Sequence, residues 1–230
     1  MKTKEDALKI VELLESEYPD AMCSLDFGKD YELLFSVRLA AQCTDERVNK
    51  ITPALFEAYP TLEAFAAARQ EDVENYIHSC GFFRGKARDI IGSAKMILEN
   101  YGGRVPDTME ELLKLPGVGR KTANLILGDL YNAPGSVVVD THCIRLSNRL
   151  GLVDTKEPAK IEIKLRDLLP PEKSNDFCHR LVLHGRAVCN ARTPNCDACC
   201  LKGLCDYANG GGAASKAAAK KPARAKTSGT

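Results

Sequence analysis

Leu115-Pro116-Gly117-Val118-Gly119-Arg120-Lys121-Thr122 decides how this chain is read. A proline and two glycines within four residues enforce a tight turn that larger residues do not adopt. Apolar residues recur at helical spacing on the C-terminal side, and a helix-start signature lies just upstream, so the turn joins two helices. The glycines also leave the backbone bare. A phosphate can then approach the N–H groups that open the next helix, where the helix dipole favours an anion. An ordinary helix–helix turn is the bland reading. Leu-Pro-Gly-Val-Gly followed at once by Arg120 and Lys121 is more specific, and it points to gripping one DNA strand by its backbone without reading sequence. Gly117, Val118, Gly119 and Arg120 are the candidate contacts.

Working outward, the pattern stays helical. Ala7, Leu8, Val11 and Leu14 share one face. Tyr31 to Ala41, Lys86 to Tyr101, Lys121 to Tyr131, Pro158 to Leu168 and Asp176 to Val188 read the same way. Pro19, Gly28, Pro60, Gly102-Gly103, Pro134-Gly135, Gly151 and Pro170-Pro171 separate them. Thr108 with Glu111 reads as a capping box at a helix start. The single strand-like run is Val137-Val138-Val139. An all-α fold of roughly ten to twelve short helices follows, with no repeat at a fixed period.

Composition excludes several classes. The 230 residues are 44% apolar and 27% charged, ordinary for a globular chain and against wholesale disorder. No run of ~20 apolar residues offers a membrane span, and the charged start MKTKEDALKIVELLESEYPD is unlike a signal peptide. A reducing cytoplasm is the expected compartment, where ten cysteines need a reason other than structural disulfides. The net charge is +1, but residues 210–230 hold five bases and no acid. Without that tail the chain carries 27 bases against 31 acids, a net of −4, so any DNA argument must rest on local motifs. The Gly/Ala/Lys-rich tail reads as disordered, either a basic arm that adds non-specific DNA affinity or a dispensable end.

Cys189, Cys196, Cys199 and Cys205 fall within seventeen residues as C-x6-C-x2-C-x5-C. Four thiolates in one short loop can enclose a tetrahedral ion or an iron–sulfur cluster, and spacing alone leaves zinc and [4Fe-4S] both open. Cys200 leaves the register open too. Arg192 and Lys202 in the same loop either face phosphates or balance the thiolates.

Lys121 falls in the first turn after the hairpin. The positive end of the helix dipole and adjacent Arg120 disfavour its ammonium form, and burial in a pocket would add to that. A neutral lysine amine is a nucleophile able to form a Schiff base, for instance with deoxyribose C1′ of a damaged nucleotide. On spacing alone, a phosphate contact is the commoner role. Asp140 ends the valine run and precedes a helix from Thr141 to Leu150. It suits an N-cap, and equally a carboxylate that steadies a cationic sugar or deprotonates the amine. His142, Arg145 and Arg149 recur at helical intervals as a possible DNA-facing stripe.

Together, L-P-G-V-G-R-K-T-A-N, the V-D-T-H that follows and the cysteine loop resemble the endonuclease III family of the helix-hairpin-helix DNA glycosylase superfamily. Leu39 to Asp45 resembles that family's S-A-Q-x-T-D stretch, and Gly81 to Ile91 its G-[LF]-[YF]-x-x-K-A stretch. The resemblance runs from about Leu8 to Tyr207. It implies a six-helix domain over 24–135 and a second domain of 1–23 with 136–209, flanking a DNA-binding cleft. It implies Lys121 as Schiff-base nucleophile and Asp140 as catalytic carboxylate. Cys189, Cys196, Cys199 and Cys205 become ligands of a [4Fe-4S] cluster, which excludes Cys200. Gln42 would fill the gap left by a flipped nucleotide, and Phe82 would be the wedge, where the family often has Leu. His142 joins the DNA-binding set.

The implied activity is base-excision repair: removal of oxidised pyrimidines from duplex DNA, then β-elimination 3′ to the abasic site. The implied partner is double-stranded DNA with damaged pyrimidines or abasic sites. The protein is expected as a monomer, cytoplasmic and nucleoid-associated. The rivals are a monofunctional glycosylase of the adenine-mismatch type, against which Lys121 argues, and a non-catalytic iron–sulfur lesion sensor. The other cysteines, Cys23, Cys43, Cys80, Cys143 and Cys178, are read as core filler.

Overall fold

The computed structural model describes residues 2–210, and the basic tail lies outside the described residues. Eleven α-helices and no strand occur among them. They are α1 (Lys4–Glu17), α2 (Asp30–Ala40), α3 (Asp45–Ala58), α4 (Leu62–Ala67), α5 (Gln70–Ile77) and α6 (Phe83–Asn100). They continue with α7 (Met109–Leu112), α8 (Arg120–Tyr131), α9 (Thr141–Leu150), α10 (Pro158–Leu168) and α11 (Ser174–Ala187). None of these helices is long and apolar enough to cross a membrane.

The starts follow local chemistry. Thr3 and Asp6 cap α1 reciprocally, each backbone N–H donating to the other's side chain at 3.1 Å. Thr44, Thr61, Thr108 and Asp140 accept at the starts of α3, α4, α7 and α9. Pro158 opens α10, where a fixed φ helps and a missing N–H costs nothing. Val137 to Val139 is buried but makes no strand. Its β-branched residues are buried without a partner strand, since β-propensity reflects burial and packing as well as pairing.

The described residues form two compact units. One comprises 2–20, 139–170 and 180–210; the other comprises 21–138 and 171–179. The second unit runs from α2 to α8 around one core. At its centre Phe35 and Phe65 meet edge-to-face, with centroids 4.9 Å apart, and Tyr59 lies 5.2 Å from Phe65. In the first unit Ala7, Ile10, Val11 and Leu14 of α1 are fully buried, whereas Leu8, which the spacing put on that face, is exposed and Ile10 takes its place. Phe65→Ala should cost about 3–5 kcal/mol, the usual range for emptying a buried aromatic site. A denaturant titration checks this, and a loss under 1 kcal/mol would mean that the core closes around the gap.

Candidate nucleic-acid interface and cysteine loop

The hairpin is held from beneath. Gly117 adopts φ +74°, and a Cβ there would come within 2.7 Å of Asp89 Oδ2 and against the Arg38 side chain. Arg38, on α2, donates to the same Asp89 oxygen from Nε at 2.8 Å and from Nη2 at 2.7 Å. Ser93 Oγ on α6 donates to the Pro116 carbonyl at 3.1 Å. Glycine at 117 is therefore required twice, by the backbone angle and by the ion pair it rests on. The sequence reading missed Arg38, Asp89 and Ser93. Nothing in their spacing announces them, since α2 and α6 meet the hairpin only through the fold.

Gly119 is the N-cap of α8 and supplies no side-chain cap, and the first intrahelical bond is Ala123 N–H to Gly119 C=O at 2.9 Å. Glycine itself supplies no cap at this helix start, where the dipole favours an anion. Gly117, Gly119, Arg120 and Lys121 are exposed, and Val118 is half-buried. Lys121 occupies the first turn, exposed and not enclosed as a lone-residue argument for its activation prefers.

A second feature of the same unit is an open hollow of about 570 Å³ lined by Arg38, Gln42, Phe82, Phe83, Arg84 and Lys86, among others. Gln42 and Phe82 both lie in the left-handed region, at φ +57° and +59°. Each such non-glycine residue carries strain of about 1–2 kcal/mol. Phe82 is also 75% exposed, an unusual place for a phenyl ring. Behind them Lys86 is buried, and its Nζ donates to the Leu39 carbonyl at 2.8 Å near the C-terminal end of α2. Burial pushes the Lys86 ammonium pKa down, while the nearby thiols of Cys80 and Cys43 act in the opposite sense. Lys86 thereby fixes the start of α6, and with it the Phe82 loop, to the end of α2 that carries Gln42.

Asp140 and the cysteine loop belong to the other unit. Asp140 Oδ1 accepts from Cys143 N–H at 2.7 Å, so the N-cap expectation holds. Arg145 and Arg149 depart from the anticipated DNA-facing stripe. Arg145 donates to the carbonyls of Gly185 and Cys189, each at 3.2 Å, and lies 3.1 Å from His142 Nδ1. Arg149 donates to the carbonyls of Asn190 and Ala191 at 2.8 Å and to Cys189 Sγ at 3.2 Å, with its guanidinium 4.8 Å from the Tyr207 ring centre. These nitrogens bind carbonyls at the end of α11 and in the cysteine loop, whose regular structure is two short 3-10 helices. Gly185 admits this packing, because a Cβ there would stand 2.8 Å from Arg145 Nη2.

Cys189, Cys196 and Cys199 are half-buried and Cys205 is buried. Cys205 lies within electrostatic reach of Cys189 and Cys196, and Cys199 within reach of Cys189 and Cys205. Burial pushes the Cys199 thiol up to about 11. His184 Nε2 sits 3.3 Å from Cys199 Sγ, and its Nδ1 lies 3.0 Å from the Tyr18 hydroxyl. Burial pushes the Cys200 thiol up, and Glu17 adds to the effect. Among the described residues, no group of three or more His, Cys, Asp or Glu is poised to hold a single metal ion. Four thiols drawn together in one loop have the donor chemistry for an iron–sulfur cluster or a thiolate-bound ion.

A glycine hairpin with an open helix start, set beside a strained and exposed aromatic, defines a helical protein built to hold a nucleic-acid backbone. Residues 35–171 match the HhH-GPD superfamily base excision DNA repair protein model. Endonuclease III of Synechocystis is 48% identical over 89% of this chain and 94% of its own length. That of Escherichia coli K12 is 39% identical over 89% of this chain and 96% of its own. A solved structure of a trapped endonuclease III–DNA covalent intermediate superposes with a TM-score of 0.84 at 39% identity, covering 91% of this chain and 98% of that one. The chain belongs to the endonuclease III family of the HhH-GPD superfamily of base excision DNA repair proteins.

Gly117→Ala should reduce affinity for an undamaged duplex about tenfold or more, or about 1.4 kcal/mol of binding. It should cost a further ~1–2 kcal/mol of stability from the left-handed angle. Filter binding and thermal melting check the two effects, and unchanged affinity would remove the hairpin from the interface.

Proposed function

We propose that this protein removes oxidised pyrimidines from duplex DNA and then cleaves the strand 3′ to the abasic site it creates. The observation that carries the reading is Lys121, an exposed amine one residue into a helix whose uncapped start suits a phosphate. A strand held by its backbone at Gly117 and Gly119 brings its sugar near that amine. The endonuclease III relatives support the reading, as does the covalent DNA intermediate trapped in one of them.

In this scheme the neutral amine of Lys121 attacks C1′ and the bond to the damaged base breaks, the base leaving with the electron pair and taking up a proton. Ring opening gives an imine between Lys121 and the sugar. Loss of a proton from C2′ expels the 3′ phosphate, and water then releases the lysine. Asp140, one oxygen fixed on Cys143 N–H, uses the other to take the amine proton and to steady the cationic sugar. Gln42 fills the gap in the duplex, and Phe82 wedges beside it. Their exposure and their strained backbones suit residues whose partner is DNA. Arg120 and His142 add backbone contacts. The protein acts on chromosomal DNA in the cytoplasm.

Cys189, Cys196, Cys199 and Cys205 would hold a [4Fe-4S] cluster. When bound, it supplies a structural crosslink of the loop and no step of the base chemistry. Arg149 sets a cation on Cys189 and anchors the loop carbonyls, which supports thiolate ligation there.

Borohydride trapping tests the reaction. The protein should give a covalent adduct on a duplex carrying an oxidised pyrimidine, and Lys121→Ala should give none while still binding DNA. Loss of binding in step with loss of adduct would make Lys121 a phosphate contact only. For the cluster, Cys199→Ser should lose iron and soluble protein, whereas Cys200→Ser should keep both. The reverse result, read by iron per chain, would shift the ligand register.

A further inference from the structure

We propose that Cys43 and Cys80 form a reversible disulfide that ties the Gln42 and Phe82 loops together and lets a hydroperoxide slow the enzyme. The consequence for turnover rests on the reading of those two residues as the DNA-entering pair. The two sulfurs are 37 residues apart in sequence and 3.5 Å apart in space. A disulfide needs about 2.05 Å, so closure asks for roughly 1.5 Å of movement, within the reach of side-chain rotation and a small loop shift. Neither belongs to the cysteine loop, and both lie in the other unit. Cys43 directly follows left-handed Gln42, and Cys80 stands two residues before left-handed Phe82. Cys80 is a fully buried member of that unit's core and Cys43 packs against it, as the core-filler reading has it, and their close approach adds a second capacity to that one.

The pair has the asymmetry that such chemistry uses. Cys43 is half-exposed and Cys80 fully buried. Burial and the Cys43 thiol push the Cys80 thiol up to about 11, with Lys86 and Arg47 pulling the other way. Cys43 is thus the sulfur that meets the oxidant, and Cys80 the one that resolves. The Cys43 thiolate attacks the peroxide, the O–O bond breaks, and an alcohol or water leaves with two electrons taken from sulfur, giving Cys43–SOH. The Cys80 sulfur then displaces hydroxide, which leaves as water with the Cys80 proton, and the S–S bond forms. A cellular dithiol reverses it by exchange. In a reducing compartment such a bond is transient and regulatory, not structural.

The test uses the full chain with its cluster. Protein is treated with stoichiometric hydrogen peroxide, alkylated, digested without reductant and mapped by mass spectrometry, while nicking of an abasic duplex and the cluster's visible absorbance are followed. The expected result is a Cys43–Cys80 linked peptide two hydrogens lighter, with nicking down about fivefold or more. Both effects should be reversed by dithiothreitol, with the absorbance unchanged. Cys43→Ala and Cys80→Ala should each give no link and keep their rates under the same oxidant. Over-oxidised Cys43 beside a free Cys80 overturns the proposal, as does rate loss that tracks bleaching. A linked protein with an unchanged rate overturns it as well. Phe82→Ala in the reduced protein separates the two readings: if it too leaves nicking unchanged, the assignment of Phe82 to DNA has failed.

Discussion

The Arg38–Asp89 ion pair is the contact on which the candidate interface of the α2–α8 unit depends. Both partners are mostly buried, and two guanidinium nitrogens converge on one carboxylate oxygen. A pair this sheltered is not screened as a surface pair is, and removing either partner strands the other. The pair also does geometric work. Its upper surface is the seat on which Gly117 rests, and Arg38 lines the hollow shared by Gln42 and Phe82. The glycine hairpin and the exposed Phe82 are therefore referred to one point in space.

The other unit solves a different problem with the same residue type. Its cysteine loop is built from turns and two short 3-10 helices, and the carbonyls these leave over need donors from elsewhere. Arg145 and Arg149 supply donors from α9, and His184 of α11 lies within hydrogen-bond distance of Cys199 Sγ. Guanidinium suits this task, since it presents several N–H groups in a fixed plane and stays charged. These arginines are committed to shaping the loop, and a basic stripe read from spacing alone overlooks that commitment.

Legibility followed the range of the interaction. The hairpin was readable because proline, two glycines and a following helix encode it within eight residues. The helix from Thr141 to Leu150 was readable for the same reason, with Asp140 at one end and Gly151 at the other. Helices α3, α4 and α5 escaped: Pro53 sits inside the first, and the others span six and eight residues. The valine run suggested a strand, because β-branched residues mark burial as well as pairing. Arg38 and Asp89 stand 51 residues apart and share no pattern. Of the candidate site, the resemblance supplied Gln42 and Phe82 by alignment. That both sit in left-handed backbone is a property of loops closed by distant packing, so no local rule could announce it.

Strain and exposure at those two positions define the direction of the energetics. Two left-handed non-glycine residues together hold about 2–4 kcal/mol, a sizeable share of a domain's net stability. They persist because Lys86, buried and bonded to the Leu39 carbonyl, over-determines the junction between α2 and α6. An exposed Phe82 adds nothing to the core in return. A chain selected for stability alone would relax both loops, so the compensation has to come from a bound state. Cys43 and Cys80 lie on the far side of Gln42 and Phe82 from that junction, each within two positions of a left-handed residue. A bond between them would add a second tie across the same two segments, so that each strained residue would be held from both sides.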